Sequence, residues 1–330
     1  MRALLSTVTG GPQTLRIVEV AEPEPSAGQV RIAVRACAVN YLDLLLIHDK
    51  YQLKPTRPFS PGSEVAGVID TIGADVRDFS AGDLIVAITG LGGMAEKVVA
   101  DAARCFKIPS SMSSEVAAGF LTAYTTSYHA LKHRAALEPG EKLLVLGAAG
   151  GVGLAAVELG KTMGARVIAA VSSAAKGQIA AQHGADEIIV YPAKIADSRQ
   201  LERFFKQACK PDGADVIFDA VGGGYTVPAL RSIAWSGRFL VVGFPAGIAS
   251  VPLNLALLKG CAVVGVYFGA YARRAPESFR KCVAELLDLY SQRRLHPLVS
   301  KVFSLERAAD ALVSMADRTA VGKLIVSLPH

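Results

Sequence analysis

The stretch that most restricts how this chain can fold runs Gly140-Glu-Lys-Leu-Leu-Val-Leu-Gly-Ala-Ala-Gly-Gly-Val-Gly153-Leu-Ala-Ala-Val-Glu-Leu-Gly-Lys161. A continuously apolar strand, Lys142 to Leu146, enters a glycine turn and passes directly into a helical pattern. Such a junction gathers free backbone N–H groups and the positive end of a helix at one point, which suits a pyrophosphate. Against the spacing GxGxxG, Gly150 and Gly153 hold the third and sixth positions and Ala148 the first. A glycine turn of this kind can also serve strand-to-helix packing alone. Here it opens a series of similar units, and the series predicts a dinucleotide site.

The series consists of short, apolar, β-branched segments at Lys142 to Leu146, Arg166 to Val171, Glu187 to Val190, Asp215 to Asp219, Arg238 to Val242 and Val263 to Val266. Helical segments of about 10 to 14 residues separate the earlier ones, the length a right-handed crossover requires, so a doubly wound parallel sheet is expected. Residues 1 to about 120 read differently: short strands at Val30 to Ala36, Val65 to Ile72 and Leu84 to Ile88, with turns at Glu22-Pro-Glu-Pro25 and Ser60-Pro-Gly62. A Ser-capped helix from Ser113 leads out of this β-rich region. Beyond about residue 270 come an amphipathic helix, Pro276 to Tyr290, a Ser304-capped helix, Leu305 to Ala316, and a last strand, Lys323 to Ser327. A six-stranded sheet has no place for that strand, so it is expected to return to the N-terminal domain. The expected class is α/β, with residues 123–267 as a nucleotide-binding domain inserted in a catalytic domain made of 1–122 and 268–330.

A length of 330 residues exceeds what one core usually supports, and 51% hydrophobic content permits two. The net charge of +6 is dispersed, with only short pairs such as Arg273-Arg274 and Arg293-Arg294, which points to a solvated surface and away from nucleic acid. A mild attraction of anionic ligands is compatible with it. Five cysteines without CxxC spacing suggest neither a disulfide framework nor a clustered metal site. The apolar start MRALLSTVTG is short for a signal sequence and no segment reaches about 18 uninterrupted apolar residues, so no membrane partner and a cytoplasmic location are expected.

The choice of dinucleotide depends on the end of the second strand, where a carboxylate would bind a ribose 2′-hydroxyl and repel a 2′-phosphate. The chain has Val171-Ser172-Ser173-Ala-Ala-Lys176 there, two hydroxyls and a cation without a carboxylate. NADPH is the expected cofactor by charge complementarity, although Lys176 can also be a solvated helix residue.

With these residues the chain strongly resembles, over nearly its whole length, the zinc-independent quinone oxidoreductases, the zeta-crystallin-like branch of the medium-chain dehydrogenase/reductases. Glu158 departs from the pattern, which usually has Gln there, at a position expected to face away from the phosphates. The likeness extends to Asn40-Tyr-Leu-Asp43, Pro61-Gly-Ser-Glu-Val-Ala-Gly67, Leu121-Thr-Ala-Tyr124, Asp219-Ala-Val-Gly-Gly223 and Val242-Gly-Phe244. It implies a Rossmann domain inserted in a GroES-like β-rich domain. It also implies cofactor contacts from Ala149, Gly150, Gly151 and Val152 in the glycine loop, from Ser172, Lys176 and Tyr191 at the 2′-phosphate, and from Thr122 near the pyrophosphate and nicotinamide. Val221, Gly243, Phe244, Tyr267, Phe268 and Lys323 are implied for the rest of the cofactor site.

Alcohol dehydrogenases of that superfamily carry a catalytic Cys and His where this chain has Asn40 and Ser63, neither a good zinc ligand, and the four-cysteine zinc loop expected near residues 90–110 is reduced to Cys105. A metal-free site is expected, and without a Lewis acid the reduction of an already electrophilic acceptor is favoured over alcohol oxidation. Tyr51, Asn40 and Asp43 are the candidate catalytic residues. Tyr51 reads equally as a loop anchor, and Asn40 with Asp43 as a buried hydrogen-bonded pair that shapes the loop. The six histidines, His48, His129, His133, His183, His296 and His330, read as surface or helix residues. The leading expectation is hydride transfer from NADPH to a quinone. The alternatives are reduction of an α,β-unsaturated carbonyl or an acryloyl-type enoyl-CoA thioester, motivated by Tyr51 and the Tyr267 to Arg274 segment, and a non-catalytic crystallin-like protein binding NADPH and RNA. Homodimers formed through the edge strand Ala262 to Val266 are implied by the resemblance.

Overall fold

A computed structural model of the protein describes residues 1–191 and 198–329. His330 lies outside the described residues. The chain forms two compact units, Met1–Thr122 with Pro297–His330, and Ala123–His296.

The first unit contributes β1 (Arg2–Leu5), β2 (Arg16–Glu19), β3 (Gln29–Val39), α1 (Tyr41–Ile47), β4 (Glu64–Ile72), β5 (Leu84–Ile88), β6 (Lys97–Asp101), β7 (Cys105–Lys107) and α2 (Ser114–Ala118). The second holds most of α3 (Leu121–Tyr128), then β8 (Lys142–Leu146), α4 (Gly151–Thr162), β9 (Arg166–Val171), α5 (Ala174–Gln182), β10 (Glu187–Val190), α6 (Ser198–Ala208), β11 (Ala214–Asp219), α7 (Thr226–Leu230), β12 (Ile233–Val241), α8 (Leu253–Lys259), β13 (Ala262–Gly265), α9 (Phe268–Arg274) and α10 (Pro276–Ser291). The chain closes in the first unit with β14 (Val299–Ser304), α11 (Ala308–Ala316) and β15 (Lys323–Ser327).

In the first unit a seven-stranded sheet runs β14-β15-β3-β4-β5-β7, with β6 also pairing β3. Val30, Ile32 and Val34 alternate inward along β3, the period-two pattern of a strand with one face on a core. They join Ile69, Ile85, Met94, Phe303 and Leu312 in a single apolar cluster. The last strand, β15, inserts between β14 and β3 and pairs antiparallel with β3 from Leu324 opposite Val39 to Ser327 opposite Ala36. That register sets Lys323, one residue before the pairing starts, beside the end of β3 and the Asn40 that follows it. Asn40 starts α1, where the Asp43 carboxylate accepts the Asn40 backbone N–H.

The second unit is built on a six-stranded parallel sheet in the order β10-β9-β8-β11-β12-β13. The order reverses between β8 and β11, the switch point beside which open α/β sheets bind ligands at the carboxyl ends of their strands. Strands β8 and β9 are almost wholly buried, as parallel strands covered on both faces should be.

The return to the first unit comes at Pro297, not at 268 as expected. The apolar face of α10, with Phe279, Cys282, Val283 and Leu286, is buried. The Phe279 ring meets those of Phe268 and Tyr271, and Glu285 receives hydrogen bonds from Tyr128 and Lys132, all within the second unit. The amphipathic period of α10 was readable in the sequence, but not which core its apolar face would join.

Candidate functional site

In the first unit one of the expected catalytic residues, Asn40, falls into a network that links four distant parts of the sequence. The Asn40 carboxamide oxygen accepts the Lys323 ammonium at 2.7 Å. Asn40 Nδ2 donates to Glu64 Oε1 at 3.0 Å and to Ser63 Oγ at 3.3 Å. Lys323 also donates to Glu64 Oε1 at 2.9 Å, while Glu64 Oε2 accepts the Thr122 backbone N–H at 2.8 Å. Glu64 is fully buried and Lys323 is 7% exposed, so this is an interior ion pair with its polar atoms satisfied.

Asp43 stands beside this network as a brace. One carboxylate oxygen accepts the Asn40 N–H at 2.8 Å and the other the Gly62 N–H at 3.0 Å, tying the start of α1 to the turn that delivers Ser63. Burial pushes the Asp43 carboxyl up to about 6, against the pull of those two N–H groups. Gly62 has φ +100°, and a Cβ there would lie 2.6 Å from Cys37 Sγ and 2.8 Å from the Met94 nitrogen, so the turn requires glycine. Tyr51 packs half-buried against the core of the first unit.

In the second unit, most of the residues expected to hold the cofactor follow the carboxyl ends of the strands. The glycine loop follows β8, Ser172 and Lys176 follow β9, Tyr191 follows β10, Val221 follows β11, Gly243 and Phe244 follow β12, and Tyr267 and Phe268 follow β13. Thr122 and Lys323 belong instead to the first unit. Gly150 is the N-cap of α4, so the N–H groups of Gly151, Val152 and Gly153 in its first turn have no carbonyl a turn earlier in the helix. A Cβ on Gly153 would lie 2.2 Å from the Gly147 carbonyl oxygen, whereas one on Gly150 would meet only that oxygen, at 3.4 Å. Gly153 therefore permits the close strand-to-helix packing, and Gly150 leaves the outer face of the loop open.

At the end of β9, Ser173 caps α5 by accepting the Lys176 N–H, and the Lys176 ammonium lies 3.4 Å from Ser172 Oγ. Burial alone lowers the Lys176 pKa, so an anion beside it would offset a desolvation cost already present. Tyr191 is buried, its ring against Phe205 and Tyr225. Asp219 holds the next loop by accepting the Val221 and Gly222 N–H groups and the Thr226 hydroxyl. Phe244 and Tyr267 are about half exposed, at 46% and 50%.

Residues 26–110 match the alcohol dehydrogenase GroES-like domain, and residues 151–288 the family described as zinc-binding dehydrogenase. Quinone oxidoreductase-like protein 2 of Rattus norvegicus is 37% identical over 318 residues, covering 96% of this chain and 89% of that protein. The chain belongs to the quinone oxidoreductase-like proteins of the medium-chain dehydrogenase/reductase superfamily. Among solved structures, the quinone oxidoreductase of Thermus thermophilus aligns with a TM-score of 0.85 at 31% identity, over 99% of this chain and 100% of that one. The Escherichia coli quinone oxidoreductase complexed with NADPH aligns with a TM-score of 0.91 at 26% identity, over 99% and 100%.

The zinc in the family description can be tested against the residues present. An amide and a hydroxyl stand at Asn40 and Ser63, and the neighbouring carboxylate, Glu64, is already neutralised by an ammonium 2.9 Å away. A dication there would have to displace Lys323 and accept two weak neutral oxygen donors. The cluster does not fit zinc.

Other positions differ from expectation. Glu158, expected simply to face away from the phosphates, is 5% exposed and accepts the Tyr124 hydroxyl at 2.6 Å and the His296 N–H, and it pairs with His183 Nδ1 at 2.6 Å. His183 and His296 are thus tied to a buried carboxylate. His129 falls in a helical segment, one of the two readings expected for it, and is buried there: it is 9% exposed and its ring stacks on Tyr271 at 3.9 Å. Burial and the neighbouring His133 push its pKa down to about 4.

Sequence reasoning did not single out Glu64 or the pairing role of Lys323. Both left a signal: a carboxylate opening the apolar run Glu64-Val-Ala-Gly-Val-Ile, and a lysine opening Lys323-Leu-Ile-Val, are charges on strands that the same reading buries.

Proposed function

We propose that the chain is an NADPH-dependent oxidoreductase that delivers a hydride to a quinone without a metal. The observation that carries this reading is the Lys323–Glu64–Asn40 network. With a built-in ammonium in place of a metal site, the centre can donate hydrogen bonds to an acceptor oxygen but has no Lewis acid to activate an alcohol. NADPH supplies the hydride. The first-turn N–H groups of Gly151, Val152 and Gly153 suit its pyrophosphate, and Ser172 and Lys176 suit a 2′-phosphate. The NADPH complex of the Escherichia coli relative supports the same cofactor here. Purified protein should oxidise NADPH when 1,4-benzoquinone or 9,10-phenanthrenequinone is added; silence across a panel of quinones would sink the proposal.

A second reading, reduction of an enone or enoyl-CoA thioester, is supported by the exposed Arg273 and Arg274 on the last turn of α9, which offer cations to a phosphorylated carrier. A kcat/KM for an acyl-CoA far above that for any quinone would select it.

We also propose that two copies pair through β13. Among the described residues this edge strand has only β12 as a neighbour, and its Val263 is 44% exposed. Trp235, Leu253 and Leu257 in the same unit are exposed at 74%, 79% and 79%. Identical edges related by a two-fold axis satisfy one another's open N–H and C=O groups while covering such apolar surface. Light scattering should give twice the chain mass, reverting to one with Val263→Arg; a stable wild-type monomer removes the idea.

A further inference from the structure

We propose that the Ser63 hydroxyl is the group that donates a hydrogen bond to the acceptor's carbonyl oxygen as negative charge develops there, its polarity imposed by Lys323 through Asn40. The inference rests on the reading of the chain as an NADPH-dependent reductase of a conjugated carbonyl.

Direction is what singles Ser63 out. An ammonium can only donate, so the Asn40 atom 2.7 Å from Lys323 Nζ must be its carbonyl oxygen, and the amide nitrogen is thereby turned the other way. That nitrogen has two hydrogens, directed to Glu64 Oε1 at 3.0 Å and Ser63 Oγ at 3.3 Å. Ser63 Oγ is accordingly an acceptor from Asn40, and its own hydrogen is left to donate elsewhere. Among the described residues no further hydrogen bond of this hydroxyl occurs. Ser63 is 5% exposed, and a buried donor without an acceptor is costly unless something arrives to take the proton's hydrogen bond.

The donor is also held in place. The Ser63 carbonyl accepts the Thr89 and Gly90 N–H groups at 2.9 and 3.1 Å, and the preceding Gly62 N–H is tied to Asp43. Asn40 and Thr122, partly exposed, flank the buried side chains of the network. A donor fixed before the reaction need not reorganise as charge appears, which is the condition under which such a group accelerates hydride addition. The chain from Lys323 through Asn40 further polarises the Ser63 O–H bond.

In the step envisaged, the hydride brings two electrons to the acceptor, the negative charge collects on its carbonyl oxygen, and that oxygen accepts the Ser63 hydrogen bond. Ser63 keeps its proton. A proton from solvent then gives the neutral hydroquinone, so one NADPH and one proton are consumed per quinone reduced.

The test uses the full-length protein with a series of 1,4-benzoquinones bearing methyl or chloro substituents, and measures kcat, KM and, by nicotinamide fluorescence, the Kd for NADPH. Ser63→Ala is expected to lower kcat about 100-fold, the effect of removing one oxyanion donor, with the NADPH Kd unchanged. The loss should be larger for electron-rich methylated quinones than for chlorinated ones, because the poorer acceptor depends more on the donor; damage to the scaffold would slow all of them alike. Ser63→Thr, which keeps the hydroxyl, should restore kcat to within about fivefold of wild type, and it decides the matter if the alanine variant folds poorly. Wild-type kcat in Ser63→Ala, a loss that is uniform across the series, or a threonine variant as slow as alanine overturns the inference while leaving the reductase reading standing. A wild-type enzyme silent with every quinone overturns both.

Discussion

The two units solve the problem of a polar site in opposite ways. The second gathers its candidate cofactor groups from the local backbone: a glycine turn after β8, a capped helix start after β9 and an Asp219-held loop after β11, each within a few residues of the strand that ends there. The first builds its centre from side chains at 40, 43, 63, 64 and 323, joined by the backbone N–H of Thr122, and neutralises a fully buried carboxylate with an ammonium that arrives on the last strand. A site made of backbone N–H groups tolerates side-chain change but not added atoms at its glycines. A site made of a buried ion pair has the converse sensitivity, since removing one partner leaves an uncompensated charge.

The largest effect expected from this contrast is at Lys323. Lys323→Met strands Glu64 in the interior and should cost about 3–5 kcal/mol in guanidinium unfolding, whereas the double variant with Glu64→Gln should recover more than half of it. A single variant as stable as wild type would show that the ion pair does not carry the centre. Next comes Gly153→Ala: its Cβ would lie 2.2 Å from a backbone oxygen, so the loop must shift and NADPH Kd should rise about 100-fold, roughly 2.8 kcal/mol. Gly150→Ala, with its nearest atom at 3.4 Å, should keep wild-type Tm and lose about tenfold in affinity; equal losses at both glycines would undo the division of roles. At Lys176, alanine should weaken NADPH about 10-fold or more, the worth of one charge-assisted hydrogen bond, and leave NADH binding unchanged. Equal losses for the two cofactors would place the 2′-phosphate elsewhere.

The smallest effect is in pH dependence, where the units again differ in sign. The Asp43 carboxyl, raised to about 6 by burial, holds its proton longer in the folded protein, so its contribution to stability is full below about pH 4 and is lost as pH rises through 6. His129, lowered to about 4, contributes fully above about pH 6.5 and loses that contribution as pH falls towards 4. Tm profiles of Asp43→Asn and His129→Gln, each subtracted from wild type, should slope in opposite directions by a few degrees across this range; parallel slopes would remove the contrast.

The same contrast explains what could be read from the sequence. The six parallel strands, the glycine loop and the Ser172 to Lys176 turn are local patterns, and the structure forms strands or caps at those positions. The last strand was legible as Lys323 to Ser327, but the partner of its lysine was not, because Glu64 lies 259 residues away and only the β15–β3 register brings them together. Residues 268–296 illustrate the same limit: the period of α10 showed an apolar face, while the choice of core depended on Tyr128, Lys132 and Phe268. Glu158 looked neutral as a single departure from a pattern, yet three groups from separate segments converge on it.

The central claim, a metal-free reductase whose centre is the Lys323–Glu64–Asn40 network although residues 151–288 match a family described as zinc-binding dehydrogenase, is tested most directly by metal removal. Protein dialysed against a strong chelator, with zinc content verified by mass spectrometry, is assayed for NADPH oxidation with 9,10-phenanthrenequinone before and after zinc is restored. Equal turnover in all three states is the predicted result. Activity that disappears with the chelator and returns with zinc would contradict the account.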